Sequence, residues 1–184
     1  MKAILLTGPP GIGKTTMLER VASLFSSKGV RIGGFTTSEV CEGGQRMGFK
    51  IADLSSGKGG WLSRKDEGTG SRIGQYRVIS EDLEKFGVAS LERAIVDPID
   101  LILIDEIGPM EMTNLSFRRS ITRVFSADKP IVATVRLGSH YPEVESIRAS
   151  CLQFELTLAT RDDVYQKLIE RVENWTRHSE AEKS

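Results

Sequence analysis

The sequence has little of several residue types that would tie it to large protein classes. Only two cysteines occur in 184 residues, Cys41 and Cys151. They stand far apart, with no C-x-x-C spacing and no histidine beside either. That excludes a disulfide framework and a zinc ribbon, and it fits a reducing compartment. Both cysteines read as small apolar fillers of the core. Long apolar runs are missing too. Met1 and Lys2 are followed only by Ala3 to Leu6 before Thr7 and Gly8. This is too short for a signal-peptide core, and nothing approaches the roughly 20 apolar residues of a membrane span. A cytoplasmic protein without membrane contact is expected. No sign of charge dominates, since Lys plus Arg and Asp plus Glu are each 25. The balance argues against a general nucleic-acid coat or a polybasic membrane binder, and leaves room for a local basic site. His140 and His178 lie in polar surroundings without ligand spacing and read as solvated.

What is present suits one soluble globular domain. Hydrophobic residues make up 39% and charged residues 27%, and the length supports one core rather than two. Short apolar β-prone runs (2–7, 100–105, 131–135, 152–158) alternate with stretches of helical periodicity (14–25, 80–96, 113–125, 143–149, 160–175). That alternation predicts an α/β fold with a mostly parallel sheet flanked by helices. Residues 30–40 and 48–54, joined by Glu42-Gly43-Gly44-Gln45, predict a β-hairpin inserted early. Ser55 to Gln75 is rich in glycine and reads as an extended or mobile connection anchored by Trp61 and Leu62. Ser80 is placed to cap a helix in which Gly87 is a weak point. The domain is expected to span 1–176, with a polar tail from 177 to 184.

The sharpest local signal is Gly8-Pro9-Pro10-Gly11-Ile12-Gly13-Lys14-Thr15, which matches G-x-x-x-x-G-K-[ST] at every position. With average glycine usage, such a match arises by chance in about 1% of chains this long. It also follows a predicted strand and opens a predicted helix. Gly11 and Gly13 let successive backbone N–H groups turn inward toward phosphate oxygens, and the helix N-terminus adds partial positive charge. Lys14 carries a compact charge to the β- and γ-phosphates. Thr15 offers a hydroxyl to Mg²⁺, and Thr16 is placed to donate to the α-phosphate. Pro9 and Pro10 donate no N–H but stiffen the loop entry.

A second signal lies mid-chain. Leu101-Ile102-Leu103-Ile104 is fully apolar, as a central parallel strand should be, and ends in Asp105-Glu106. An aspartate at such a tip holds Mg²⁺ in phosphate-loop proteins. The adjoining Glu106 is of the type that orients or deprotonates an attacking water. Thr134 would face the γ-phosphate if its strand lies between the two motif strands. Arg46, Arg118, Arg119, Arg136 and Arg161 are all available to stabilise transition-state charge, and nothing local selects among them. The Phe35/Phe49 pair reads as hairpin packing in preference to base stacking.

Taken with these motifs, the segments Gly33–Val40, Glu42-Gly43-Gly44, Arg46–Ile51, Gly74–Val78 and Asp105-Glu106-Ile107-Gly108-Pro109-Met110-Glu111 resemble the THEP1-type nucleoside-triphosphatases. The resemblance covers roughly 1–172. It implies a RecA-like P-loop fold and Mg²⁺-dependent hydrolysis of nucleoside triphosphates to diphosphate and phosphate, with broad base tolerance. Two positions depart from the pattern. Cys41 stands where an arginine usually follows Glu-Val, and the Asn-Arg-Asp element appears as Thr160-Arg161-Asp162. Arg161 itself matches.

The expectation is a nucleoside-triphosphatase in which Lys14 and Glu106 are catalytic. Gly8 to Thr16 bind the nucleotide, Thr15 and Asp105 bind Mg²⁺, and Thr134 and Arg161 are further candidates. A monomer or weak dimer with slow basal turnover is expected. A nucleotide, small-molecule or nucleic-acid kinase on the same loop is the alternative. A nucleotide-driven switch is a third reading, weakened by the lack of an N-K-x-D guanine selector.

Overall fold

The computed structural model describes residues 2–65 and 67–181. Nine strands form one sheet: β1 (Ala3–Thr7), β2 (Ile32–Glu42), β3 (Gln45–Asp53), β4 (Gly59–Lys65), β5 (Arg72–Ile73), β6 (Tyr76–Val78), β7 (Leu101–Ile107), β8 (Ile131–Val135) and β9 (Leu152–Glu155). Their order across the sheet is β5-β6-β4-β3-β2-β7-β8-β1-β9. The half from β2 to β9 is parallel, and the half from β2 to β5 is antiparallel. The sheet is therefore mixed where a mostly parallel one was expected.

Strands β1 and β8 and the Leu101–Ile104 part of β7 are almost wholly apolar because helices cover both faces. On one face, α1 (Lys14–Ser27) packs through Met17, Leu18, Val21 and Phe25, and α6 (Arg161–Ala181) through Val164, Leu168 and Val172. The other face carries α3 (Ala89–Val96) and α4 (Leu115–Ser126), with Phe117 edge-on to Phe35 at 5.7 Å. Both rings are fully buried, so truncating either to alanine should cost about 3–5 kcal/mol. The register pairs Leu6 with Thr134 and Ile104 with Ala133, which sets β8 between the strand that leads into the glycine loop and the strand that ends in Asp105.

Ser55 to Gln75 departs from the sequence expectation. It holds β4, an inner strand of the antiparallel half, and the short β5. Two of its glycines serve close approach: a Cβ on Gly60 would lie 2.3 Å from the Asp82 carboxylate, and one on Gly59 would lie 2.4 Å from the Ile51 carbonyl oxygen. The β2–β3 hairpin turns on Gly43 and Gly44, both at positive φ, as a tight two-residue hairpin turn requires. Cys41 is exposed near that turn and fills no core; Cys151 is half-buried, and burial pushes its thiol up to about 11.

The helical expectations shift at their ends. Ser80 is the first residue of α2 (Ser80–Asp82) and makes no capping bond; Ile79 holds the cap position. Gly87 does not break the segment. It sits in a π-helical stretch, Leu83–Val88, packed against Leu83 and Ile51. Asn114 caps α4 by accepting from the Phe117 N–H at 2.8 Å. A short helix α5 (Pro142–Arg148) precedes β9. Helix α6 continues to Ala181, past Trp175, so the expected tail begins as helix; residues 182–184 lie outside the described residues. Among the described residues, no helix is long and apolar enough to cross a membrane.

Candidate active site

The glycine loop leaves the carboxyl end of β1 and closes at Gly13, the cap residue of α1, whose φ of 101° suits glycine. Gly8 is fixed by close approach, since a Cβ there would stand 2.7 Å from the Leu156 carbonyl oxygen. Helix α1 begins with neither a side-chain cap nor an acidic residue in its first turn. Its free N–H groups and positive dipole end therefore face the loop uncompensated, which is the arrangement that attracts an anion. Lys14 folds back over the loop. Its Nζ donates to the carbonyl oxygens of Gly8 at 3.1 Å and Pro9 at 3.4 Å. Thr16 is exposed in the first turn of α1.

Opposite stands Asp105, only 1% exposed. Its Oδ1 accepts from the Thr134 hydroxyl at 2.6 Å, and its Oδ2 from the Thr37 hydroxyl at 3.5 Å. The Thr15 side chain also bonds it. Burial pushes this carboxyl above its ordinary range, against the pull of the Thr134, Thr15 and Thr37 hydrogen bonds and the Lys14 charge. The Asp105–Glu106 peptide is cis. Glu106 is partly open, and its Oε2 lies 3.6 Å from Lys14 Nζ. Burial raises it as well; Lys14 opposes that rise, Asp105 adds to it, and the more distant Arg136 lowers it.

Two site residues carried no role in the sequence reading. Thr37 reaches Asp105 because Phe35 pairs with Ile104, which carries the β-strand on past the acid. Glu111 stands on a short 3-10 turn (Glu111–Thr113) and is 4% exposed. Burial, with the charges of Glu106 and Asp105, raises its carboxyl to about 8, although backbone N–H groups at Glu111 and Gly108 bond it. A Cβ on Gly108 would lie 3.0 Å from both Glu106 Oε1 and Glu111 Oε2, so both carboxyls lean on one glycine. The spacing Asp-Glu-x-x-x-x-Glu was visible in the sequence, but a third acid looks like a solvated charge until its burial is known.

Among the described residues, no group of three or more His, Cys, Asp or Glu could hold a metal ion. A Mg²⁺ that also takes substrate phosphates and waters needs fewer protein ligands. The Thr15 hydroxyl and the Asp105 carboxylate are hard oxygen donors in mutual hydrogen-bond contact, and they fit that role. The other candidates disperse. Arg46 pairs with Glu39 at 2.7 Å and Arg118 with Glu143 at 2.8 Å. Arg119 is exposed on α4. Arg161 is exposed at the start of α6, 3.9 Å from Asp162. His140 is exposed beside Glu145. Phe35 and Phe49 do not stack together: Phe35 meets Phe117, and Phe49 meets Tyr76 edge-on at 5.4 Å.

Residues 3–169 match the family described as NTPase. The chain is 46% identical over 134 residues to the nucleoside-triphosphatase THEP1 of Thermofilum pendens, covering 73% of each chain. It is 42% identical over 168 residues to the protein of that name from a Thermotoga species, covering 90% of this chain and 92% of the other. The crystal structure of THEP1 from the hyperthermophile Aquifex aeolicus superposes with a TM-score of 0.80 at 31% identity, over 93% of this chain and 99% of that one. The solution structure of a human cancer-related nucleoside triphosphatase gives 0.80 at 31%, over 95% and 98%.

Proposed function

The chain belongs to the THEP1 family of nucleoside-triphosphatases, and we propose that it hydrolyses nucleoside triphosphates with Mg²⁺ through the residues around its glycine loop. The observation that carries this reading is the approach of Lys14 Nζ to Glu106 Oε2, 3.6 Å across the mouth of the loop. A phosphate-binding cation and a half-open acid, distant in sequence, share one small space.

The roles follow from chemistry. The main-chain N–H groups of residues 11–16 and the start of α1 bind the phosphate oxygens. Lys14 exchanges its bonds to the Gly8 and Pro9 carbonyl oxygens for bonds to the β- and γ-phosphates. Thr15 and Asp105 would hold a Mg²⁺ ion, which would supply neutralisation of the substrate's phosphate charge. Thr134 and Thr37 fix the Asp105 carboxylate. Glu106 accepts a hydrogen bond from the attacking water and orients it in line with the γ-phosphorus. Arg161, exposed at the start of α6, is given no role in the step. No base-selecting motif is present, which supports broad base tolerance. On this reading the chain is a cytoplasmic enzyme, a monomer or weak dimer; among the described residues no helix is long and apolar enough to cross a membrane. No relative reported above is named a kinase, and transfer to an acceptor other than water is not favoured.

Phosphate release from ATP and GTP, compared for the wild type and Glu106→Gln, tests the reading. The variant should hydrolyse about 10²- to 10⁴-fold more slowly while still binding nucleotide, and Lys14→Ala should lose binding as well. Hydrolysis at the wild-type rate by Glu106→Gln would remove the water-orienting role.

A further inference from the structure

The site as described supplies one side-chain cation, Lys14, to a reaction that piles charge onto the γ-phosphate oxygens and the bridging oxygen. We propose that Arg136 is the arginine that reaches those oxygens in the transition state, supplied by the chain itself. The inference rests on the hydrolase reading of the same site.

Four of the five arginines considered are engaged or placed elsewhere. Arg46 is held by Glu39 near the hairpin turn, and Arg118 by Glu143 between α4 and α5. Arg119 is exposed on α4. Arg161 begins α6 after β9, which pairs with β1 on the side away from β8. Arg136 differs on three counts. It follows β8 directly, two residues beyond the Thr134 hydroxyl that bonds Asp105. Its own N–H donates to the Ile107 carbonyl oxygen at 3.4 Å, which pins its backbone beside the acidic tip of β7. Its guanidinium is close enough for its charge to act on Glu106. Among the described residues, that guanidinium has no ion-pair or hydrogen-bond partner. It lines an open cavity of about 190 Å³ with Pro109, Leu137 and Gly138. An exposed cation whose charge acts on Glu106 has free donors to offer a polyanion bound beside that acid.

The step balances without a further reactant. The oxygen of water forms a bond to the γ-phosphorus as the bond from that phosphorus to the bridging oxygen breaks. The electron pair stays on the departing diphosphate. A water proton passes to Glu106 and then to the released phosphate, so Glu106 returns to its starting state. Arg136 gains and loses no proton; it donates N–H bonds to oxygens whose charge is rising.

The experiment compares the wild type, Arg136→Ala, Arg136→Lys, Glu106→Gln and Lys14→Ala in steady-state hydrolysis. It also measures binding of ADP with fluoroaluminate as a transition-state mimic. Arginines in this role are worth about 10³- to 10⁵-fold. Arg136→Ala should therefore lower kcat at least 100-fold (about), leave KM within about threefold, and bind the mimic weakly while binding ADP normally. Arg136→Lys should recover only part of the rate, because a point charge replaces the planar fork. Free guanidinium at millimolar levels should raise the rate of Arg136→Ala and not that of Glu106→Gln. Wild-type kcat and mimic binding in Arg136→Ala, with Glu106→Gln and Lys14→Ala inactive, would overturn the role of Arg136 and leave the hydrolase reading intact. A wild type that releases no phosphate would overturn both.

Discussion

The Thr134 hydroxyl donates to Asp105 Oδ1 at 2.6 Å, a bond that ties the tips of two neighbouring parallel strands. Neither residue exceeds 1% exposure. A carboxylate placed there without partners would be costly, and burial does push Asp105 upward. Hydroxyls from Thr134, Thr15 and Thr37 offset part of that cost while leaving the acid free to accept a cation. Strand order thus sets the chemistry: because β8 lies between β1 and β7, its last turn outward delivers a donor to the acid and then Arg136 to the rim.

Replacing Thr134 by valine should show how far Asp105 depends on that donor. The shape is kept and the hydroxyl lost, at a cost of about 1.5–3 kcal/mol for a bond to a charged group. Hydrolysis should fall by roughly 10- to 100-fold at limiting Mg²⁺, and Thr134→Ser should restore most of it. Phosphate release across a Mg²⁺ series reads both effects. A valine variant with the wild-type Mg²⁺ response would separate Thr134 from the acid's function.

Glu111 makes stability depend on pH in a definite direction. Its carboxyl is raised to about 8 in the fold and takes its ordinary value of 4.5 when unfolded. Between those values the native state binds the extra proton, so ΔG of unfolding falls as pH rises, by up to about 1.4 kcal/mol per pH unit. Above about pH 8 the slope from this group ends. Glu111→Gln keeps a neutral side chain and should flatten the profile between about pH 5 and 8. Urea unfolding of both proteins at several pH values, without metal or nucleotide, is the check; parallel profiles would mean that Glu111 does not hold its proton in the fold.

Much of this was legible from residue pattern, and the gaps have physical causes. The glycine loop and Leu101-Ile102-Leu103-Ile104-Asp105-Glu106 announced themselves because each needs particular residue types in unbroken order. Ser55 to Gln75 misled because glycine signals both flexibility and close approach; Gly59 and Gly60 turned out to be the second kind. Ser80 had the right chemistry for a cap, but the helix starts one residue early. Thr37 and Glu111 depend on strand register and burial, which a single sequence does not display. Arg136 could be chosen from five arginines only once the sheet order was known.

Asp105 itself should behave as a functional liability. Asparagine at this position removes the buried charge and keeps an acceptor for Thr134. Thermal unfolding of Asp105→Asn without ligand should occur at or above the wild-type temperature. Binding to the native state alone stabilises by about 2.7 kcal/mol at a ligand concentration 100 times its Kd. Mg²⁺ with a non-hydrolysable triphosphate should therefore raise the wild-type Tm by several degrees and that of the variant far less. Equal shifts would show that the cation does not engage this acid.

Gly108→Ala isolates the geometry of the two glutamates from their charge. The added Cβ would meet Glu106 Oε1 and Glu111 Oε2 at 3.0 Å each. Glu106 is partly open and its carboxyl end can give by a few tenths of an ångström, while Glu111 is buried, so folding should cost about 1 kcal/mol, the low end for overpacking. The displacement matters more for the reaction than for stability. Glu106 has to keep its place relative to the water and Lys14, and a misplacement near 1 Å can cost about 100-fold in rate. The expected result is a kcat lowered by roughly 10-fold with KM and Tm little changed. A variant that unfolds early would instead mark Gly108 as a packing requirement. One that matches the wild-type kcat would mean that the Glu106 carboxylate tolerates displacement, and hence that it orients the water loosely.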